Sequence, residues 1–142
     1  MPKTTEFPDL VTIQLINPLS LYNPTNNAYS HIAIVQDFTR IIHISGQGAE
    51  NSHGSLPHNF EQQVFQTFKN IKYALIAAHA ELKHIAVFRV LMVEHNEEKH
   101  KILINYMQKL WNNTVFPACT LIPVHCLALP NMQIEIEVTA YC

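Results

Sequence analysis

The 142-residue sequence has few glycines, few charged side chains and no long apolar run. Three glycines and 14% charged residues beside 48% hydrophobic residues are typical of a compact folded protein and exclude a mainly disordered chain. A membrane-spanning helix needs about 20 consecutive, mostly apolar residues, and the sequence predicts none. The opening segment MPKTTEFPDL lacks the apolar stretch of a signal peptide, so we expect a cytoplasmic protein.

Positive charge is also scarce. The nine Lys and Arg residues are scattered along the chain, and the formal net charge is −2. Proteins that bind nucleic acids usually cluster their basic residues on one surface. The composition therefore gives no electrostatic reason to expect a nucleic-acid partner.

Cysteine is limited to three residues, Cys119, Cys126 and Cys142, an odd number that predicts free thiols in a reducing compartment. Cys119 and Cys126 stand with His125 in the segment VFPACTLIPVHCL. Along one extended strand, Cys119 and His125 would lie about 20 Å apart. That is too far for a shared metal ion, so we expect no metal site. Pro123 is expected to add a bulge to this strand without bringing the two side chains together.

A nucleophilic role for Cys119 needs a base within hydrogen-bond reach and a positive environment that lowers the pKa of the thiol. No sequence neighbour supplies either one, which leaves His43 or a second subunit as the source. The preferred interpretation is a small side chain that fills a pocket.

The apolar pattern predicts one α+β domain over residues 1–142, with an irregular, proline-rich lead-in over residues 1–28. Within this lead-in, Leu10–Ile16 is a candidate short strand. Two β-rich segments follow, AYSHIAIV and RIIHIS, with a turn predicted at Gln36–Thr39. The loop SGQGAENSHGSLPH then contains all three glycines, which is typical of an irregular segment.

Two segments have helical spacing. Apolar residues recur at steps of three and four from Phe60 onward, with Asn59 as the predicted cap of about five helical turns. The second helix is predicted in NEEKHKILINYMQKLWN, with Ile102, Tyr106 and Leu110 on its apolar face.

Three further strands are predicted, in HIAVFRVLMV, ACTLIPVHCL and QIEIEVTA. The last of these alternates, with Ile134, Ile136 and Val138 on one face. The order β-β-α-β-α-β-β predicts one mixed sheet with two helices packed on one face. Because residues 84–93 are apolar on both faces, we expect a second subunit to cover the other face of the sheet.

Five segments together resemble the Rid family in their order and spacing: NAYSHIAIV, HISGQG, QQVFQTFKNI, NTVFPAC and QIEIEVTA. These proteins are the YjgF-type reactive-intermediate deaminases, also called the endoribonuclease L-PSP family. The resemblance extends from about Asn17 to Tyr141. It implies a chorismate-mutase-like fold, a homotrimer whose three sheets surround a central barrel, and clefts for a small-molecule ligand between subunits. It also implies hydrolysis of imines and enamines to a ketoacid and ammonia, without a metal or an organic cofactor.

The sequence departs from the family motif at Cys119. Active members have Pro-Ala-Arg, in which the arginine binds the substrate carboxylate, whereas this chain has Pro117, Ala118 and Cys119. Arginine suits that role because its charged, planar fork makes two parallel hydrogen bonds to a carboxylate. A neutral thiol offers one weak donor and no charge, so hydrolysis of anionic imino acids is expected to be weak or absent. Leu121 and Ile102 also replace a cysteine and an asparagine that are common in the family.

Other site positions match the family. Glu135 matches the acidic residue that orients the hydrolytic water, although one extra residue separates it from Cys119. Tyr29 matches a cleft tyrosine, and Ser45 and Gly46 match the loop whose backbone faces the ligand. The resemblance therefore implies a retained cleft that has lost its anion-binding arginine.

Arg89 is the only charged residue in IAVFRVLMV, and a buried arginine needs a partner. It either supplies the missing positive charge as a ligand-binding residue or pairs with Glu135 or Glu137 in the sheet. Structural pairing is the preferred interpretation.

Three functions remain open at this stage. The first is a hydrolase with altered substrate choice, which takes neutral or differently anchored imines and uses Glu135 to position water. The second is a non-catalytic module that binds or senses a small metabolite in the same cleft. The third is the endoribonuclease or translation-inhibitor role of the family name, which is least supported because no basic surface is predicted.

Overall fold

The computed structural model describes residues 10–112 and 115–142, which form one small α+β domain. Two helices, α1 (Phe60–Ala77) and α2 (Glu97–Leu110), lie among six strands. The strands are β1 (Thr12–Ile16), β2 (Ile32–Gln36), β3 (Ile41–Gln47), β4 (Ile85–Val93), β5 (Ala118–Val124) and β6 (Ile134–Tyr141). No helix in this part of the chain has the length and apolarity that a bilayer crossing requires.

The predicted mixed sheet is confirmed. Its four strands have the order β3-β6-β4-β5, with β4 parallel to β5 and antiparallel to β6. The strand of the lead-in also forms, but β1 and β2 make a separate two-stranded sheet, which the sequence pattern did not distinguish. The reason is that β2 pairs with β1 over its full length, and a single bridge from Ser30 to Ala118 joins this segment to the main sheet.

Helix α1 begins as the sequence predicts. The side chain of Asn59 accepts a hydrogen bond from the backbone nitrogen of Gln62 at 3.1 Å, which satisfies one of the free donors of the first turn. The predicted stripe is buried, with Phe68, Ile71 and Leu75 at 2% exposure or less. Each such side chain contributes about 1.5–3 kcal/mol of burial free energy.

Helix α2 is correctly located, but its most buried face differs from the prediction. Leu103 and Met107 are the buried residues, whereas Ile102 and Tyr106 are only partly buried beside them. The apolar stripe is broad, so the line of closest approach to the core lies one residue beyond the predicted one. This shift turns the preceding residue on the same face, His100, toward a pocket described below.

One face of the main sheet packs against the helices and the other is open. Val90, Met92, Ile134 and Ile136 have no exposed surface. On the opposite face, Val87 remains 40% exposed. In the isolated chain, β4 is therefore covered on one face only.

The predicted bulge at Pro123 is wrong. Strand β5 pairs with β4 in continuous register, with Met92 opposite Pro123. Because β5 lies at the edge of the main sheet, the missing backbone donor of proline leaves no central ladder bond unmade. The strand ends at Val124, so His125 and Cys126 lie beyond it rather than on it.

Candidate functional site

Cys119 lines a cavity of about 320 Å³ between α2, β5 and the segment that precedes β2; we call this cavity the Cys119 pocket. Apolar and polar side chains are mixed along its wall. The lining residues are Tyr22, Asn27, Tyr29, His100, Leu103, Ile104, Met107, Cys119, Thr120 and Leu121. None of them is a lysine or an arginine, so residues 10–112 and 115–142 give this pocket no permanent positive charge.

The thiol of Cys119 is protonated at neutral pH. Burial raises its pKa from the ordinary value of 9.0 to about 12, because the surrounding apolar groups disfavour the charged thiolate. A reactive cysteine needs the opposite shift. The environment of Cys119 thus favours a side chain that fills space over a nucleophile.

An aromatic cluster of Tyr22, Tyr29 and His31 stands at one side of the Cys119 pocket. The two tyrosine hydroxyls are hydrogen-bonded to each other. The ring of His31 lies 5.1 Å from that of Tyr22 and 5.4 Å from that of Tyr29, both edge-on. His31 Nε2 donates to the backbone oxygen of Tyr22 at 2.8 Å. These contacts fix the orientation of Tyr29 in the pocket wall.

The open face of the main sheet carries a second cavity, of about 390 Å³, which we call the sheet cavity. Ser45, Val87 and Arg89 line it, together with His43 and Glu137. Arg89 faces Glu137 across β4 and β6, and its Nη1 donates to Glu137 Oε1 at 2.5 Å. The predicted pairing of Arg89 in the sheet is therefore confirmed.

Arg89 and Cys119 are on opposite faces of the sheet. In the register of β4 and β5, Phe88 is opposite Cys119 and Arg89 is opposite Thr120. Because successive side chains of a strand alternate between faces, Cys119 shares the helix-facing side with Phe88. Within one chain, Arg89 does not supply the positive charge that is missing beside Cys119.

Glu135 and Gly46 are in direct contact. A Cβ atom placed on Gly46 would overlap Glu135 Oε1. The pairing of β3 with β6 also shifts between Ile44 and Gln47, which places Gly46 in an irregular step of the ladder. The absence of a side chain at residue 46 thus makes the space that the carboxylate occupies.

The predicted site residues fall into two groups within one chain. Tyr29 and Cys119 line the Cys119 pocket. Glu135 lies against Gly46, and the neighbouring Ser45 faces the sheet cavity with Arg89. His43, the candidate base for Cys119, also lines the sheet cavity and is 3.3 Å from Thr139 Oγ1 through its Nδ1.

Sequence reasoning missed several residues of the Cys119 pocket, among them Tyr22 and His100. The spacing of His100, Leu103 and Met107 at steps of three and four places them on one helical face, which is a signal that the sequence does contain. Tyr22 has no such signal, because its place depends on the irregular chain path from β1 to β2. Among the described residues 10–112 and 115–142, no group of three metal-binding side chains occurs.

Alkylation rates test the protonation state of Cys119. With iodoacetamide near pH 8, we expect Cys119 to react about 30- to 60-fold more slowly than an ordinary thiol. The raised pKa lowers its thiolate fraction about 1,000-fold, and the higher intrinsic nucleophilicity of a more basic thiolate offsets part of that loss. Burial slows the reaction further. Peptide mass spectrometry reads the rate, with the exposed Cys126 as the internal control. Equal labelling of the two cysteines would contradict a buried, protonated Cys119.

Comparison with known proteins assigns this fold to a family. The sequence model of the family described as endoribonuclease L-PSP matches residues 22–142. The chain therefore belongs to the endoribonuclease L-PSP family, in which the Rid and YjgF proteins are grouped. A sequence search of curated proteins finds no significant match.

Solved structures agree with this assignment. The Rid-family protein YyfB from Yersinia pestis, described as being of unknown function, is 30% identical, with a TM-score of 0.86 over 92% of this chain and 98% of its own. YyfA from the same organism is 24% identical, with a TM-score of 0.66 over 92% and 100% of the two chains. The Escherichia coli YjgF gene product is 25% identical, with a TM-score of 0.60 over 75% and 84%.

Proposed function

We propose that this chain is a Rid-type hydrolase of small, uncharged imines or enamines, with weak activity on anionic 2-imino acids. One observation carries this proposal: the described residues that line the Cys119 pocket include a protonated thiol and no lysine or arginine. An anionic substrate would lose its hydration there without gaining an unpaired counter-charge, since Arg89 on the open face of a neighbouring copy is already paired with Glu137. An uncharged substrate loses far less on entering the same space.

In the proposed reaction, Glu135 acts as the base for water. The water oxygen adds to the imine carbon as Glu135 takes one of its protons, and the C=N electron pair moves to nitrogen. The tetrahedral intermediate then collapses to a carbonyl group as the C–N bond breaks. Nitrogen receives the proton held by Glu135, and Glu135 then transfers the hydroxyl proton of the intermediate to the same nitrogen, which leaves as ammonia. One imine and one water thus give one carbonyl compound and one ammonia.

We also propose that the complete site forms between two copies of the chain in a homotrimer. Glu135 with Gly46 lies on a different part of the chain from the Cys119 pocket. A neighbouring copy that covers the open face of the main sheet would bring Glu135 and Gly46 of one copy to the Cys119 pocket of another. The partly exposed Val87 and Ile122 on that open face support an interface there.

Sedimentation tests the assembly. We expect the wild type to sediment at three times the chain mass and Val87→Glu to sediment as a monomer, because an unpaired carboxylate buried at an interface costs several kcal/mol. Ile76→Glu is the matched control, since Ile76 is an exposed aliphatic residue on α1, away from the open face. A trimer that persists in the Val87 variant would place the interface elsewhere.

A second candidate function is a non-catalytic module that binds a small metabolite. The observation that favours it is the separation of Glu135 from the Cys119 pocket within one chain, since a site without a positioned base binds but does not hydrolyse. The ribonuclease role has less support. Among the residues that the structure describes, Arg89 is the one permanent cation that lines either the Cys119 pocket or the sheet cavity, and it is paired with Glu137.

Turnover of an uncharged imine separates the two candidates. A flavin-dependent amine oxidase forms the imine of benzaldehyde from benzylamine, and ammonia release is followed with and without this protein. We expect acceleration by the wild type and none by Glu135→Gln, with Glu98→Gln on the exposed first turn of α2 as the matched control. If the wild type gives no acceleration while binding the product analogue benzamide, the non-catalytic candidate replaces the hydrolase.

Gly46→Ala tests the position of Glu135 without removing its carboxylate. The added methyl group would overlap the carboxylate, and the flexible end of Glu135 must move away. We expect a roughly ten- to hundredfold loss of imine hydrolysis, since misplacing a catalytic group by about 1 Å has effects of this size. The melting temperature should change little, because a side-chain end moves rather than the backbone.

Gly54→Ala is the control for this glycine substitution, because it should change stability and leave turnover unchanged. Gly54 has φ +78°, and nothing lies within 4 Å of the position that an added methyl group would take, so an alanine there is strained but does not contact Glu135. We expect lower stability with unchanged turnover. Unchanged turnover in Gly46→Ala would contradict the role of the Glu135–Gly46 contact.

A further inference from the structure

His100 is a half-buried polar group of the Cys119 pocket whose side chain has no hydrogen bond among the described residues, as is also true of the exposed Asn27 and Thr120. Within the described parts of the chain, neither ring nitrogen of His100 has a hydrogen-bond partner, and the ring contacts only that of His95, at 5.4 Å between centroids. The hydroxyls of Tyr22 and Tyr29 differ, since they are hydrogen-bonded to each other. A half-buried imidazole in a cavity of about 320 Å³ thus has both its donor and its acceptor available to a ligand.

The imidazole of His100 is uncharged at neutral pH. Burial lowers its pKa below the ordinary value of 6.5, and the nearby His95 lowers it further. A neutral imidazole has one N–H donor and one nitrogen acceptor. It can therefore hydrogen-bond a carbonyl or an imine, whereas it gives a carboxylate no counter-charge.

Apolar side chains lie beside His100 in the wall of the Cys119 pocket. Leu103 and Met107 follow His100 on the same face of α2 and line the same pocket, and Leu121 closes it from β5. Pockets that bind small molecules commonly combine an apolar wall with a few placed polar groups. The wall of the Cys119 pocket thus fits the apolar body of a ligand whose polar end is at His100.

We propose that His100 is the specificity-determining residue of the Cys119 pocket, where it hydrogen-bonds the carbonyl or imine group of an uncharged ligand whose apolar body packs against Leu103 and Met107. This inference rests on the proposed function in one respect, the use of the Cys119 pocket as the ligand cleft. In this chain the ligand is selected by a neutral hydrogen bond from α2 rather than by a charged one from β5.

Binding of an isosteric pair of ligands tests this inference. Benzamide and benzoate have nearly the same shape and differ in charge, and both are titrated into the full-length assembled protein near pH 7.5. Heteronuclear NMR follows the resonances of His100 and Cys119. We expect benzamide to shift both residues and to bind at least tenfold more tightly than benzoate.

Variants of His100 separate a hydrogen bond from simple packing. We expect His100→Leu to weaken benzamide binding about three- to tenfold, the range for one neutral hydrogen bond. His100→Gln retains a donor and an acceptor and should stay within about twofold of the wild type. His125→Leu is the matched control, because His125 is exposed beyond β5 and outside the Cys119 pocket.

Three results would overturn the inference: full affinity in His100→Leu, weaker binding in His100→Gln than in His100→Leu, or a preference for benzoate. Because benzamide is not hydrolysed, the binding result is independent of catalysis. If no imine is turned over but benzamide binding depends on His100, the hydrolase proposal is wrong and this inference is supported. If the imine is turned over but His100→Leu binds benzamide as the wild type does, the hydrolase proposal is supported and this inference is wrong.

Discussion

Cys119→Arg should restore hydrolysis of anionic 2-imino acids. With the substrate generated in place by an amino-acid oxidase, we expect the variant to exceed the wild type by about a hundred- to a thousandfold. This is the usual effect of one preorganised charged contact on the transition state, about 3–4 kcal/mol. The substitution changes one side chain in a pocket that retains Tyr29 and an open volume of about 320 Å³.

The physical reason is the charge that the pocket lacks. A thiol with a pKa of about 12 holds no charge at neutral pH, whereas a guanidinium is always charged and binds a carboxylate through two parallel hydrogen bonds. The new charge lies in a partly desolvated pocket, so the free variant should be less stable than the wild type. Millimolar 2-oxobutyrate, which supplies the missing carboxylate, should raise the melting temperature of Cys119→Arg and leave that of the wild type unchanged.

Cys126→Arg is the matched control for the added charge. Cys126 is exposed, lies beyond the end of β5 and does not line the Cys119 pocket. An arginine there should leave both activity and the 2-oxobutyrate effect as in the wild type. If the wild type already hydrolyses 2-imino acids rapidly, the argument from the missing arginine is wrong.

The sequence predicted the regular part of this fold well because its signals are local. The cap at Asn59, the buried stripe of α1 and the alternation of β6 all follow from spacing within a few residues. The separation of β1 and β2 from the main sheet is not local, since it depends on which strand edges meet. No residue of β1 or β2 indicates from the sequence which strand it pairs with.

The site was predictable only in part, for the same reason. Motif resemblance proposed Cys119, Glu135 and Gly46 as candidates, yet the division of these residues between two regions of one chain depends on the strand order. The pairing of Arg89 with a glutamate was predictable, because a lone charge in an apolar strand requires a partner. Its assignment to Glu137, on the face opposite Cys119, came from the register of β4 with β5 and β6.

Gln63 shows where a helical pattern misleads. It is fully buried on α1, although a glutamine among polar neighbours suggests a surface residue. Its Nε2 donates to the backbone oxygens of Pro57 at 2.7 Å and Asn131 at 3.0 Å. Its Oε1 accepts from the backbone nitrogen of Gln133 at 2.9 Å. One side chain thus joins the end of the glycine-containing loop to the start of β6.

Gln63→Leu should therefore destabilise the fold by about 3–5 kcal/mol. Leucine fits the apolar face of the helix, but it leaves two carbonyl groups and one N–H without their partner, at roughly 1–3 kcal/mol for each group that stays buried. Urea denaturation at fixed protein concentration measures the change, because assembly makes the apparent stability depend on concentration. The shift should appear in the midpoint with an unchanged slope.

Gln62→Leu is the control, because it makes the same substitution at an exposed position of the same helix. Gln62 is the exposed neighbour of Gln63, and the hydrogen bond that caps the helix uses its backbone rather than its side chain. The same substitution there should change stability by no more than about 0.5 kcal/mol. Equal effects at the two positions would show that the three bonds of Gln63 contribute little.

A large difference would also bear on the site, because Gln133 directly precedes β6 and Glu135 lies two residues further on. Loosening this link should lower imine hydrolysis in Gln63→Leu even at temperatures where the variant remains folded.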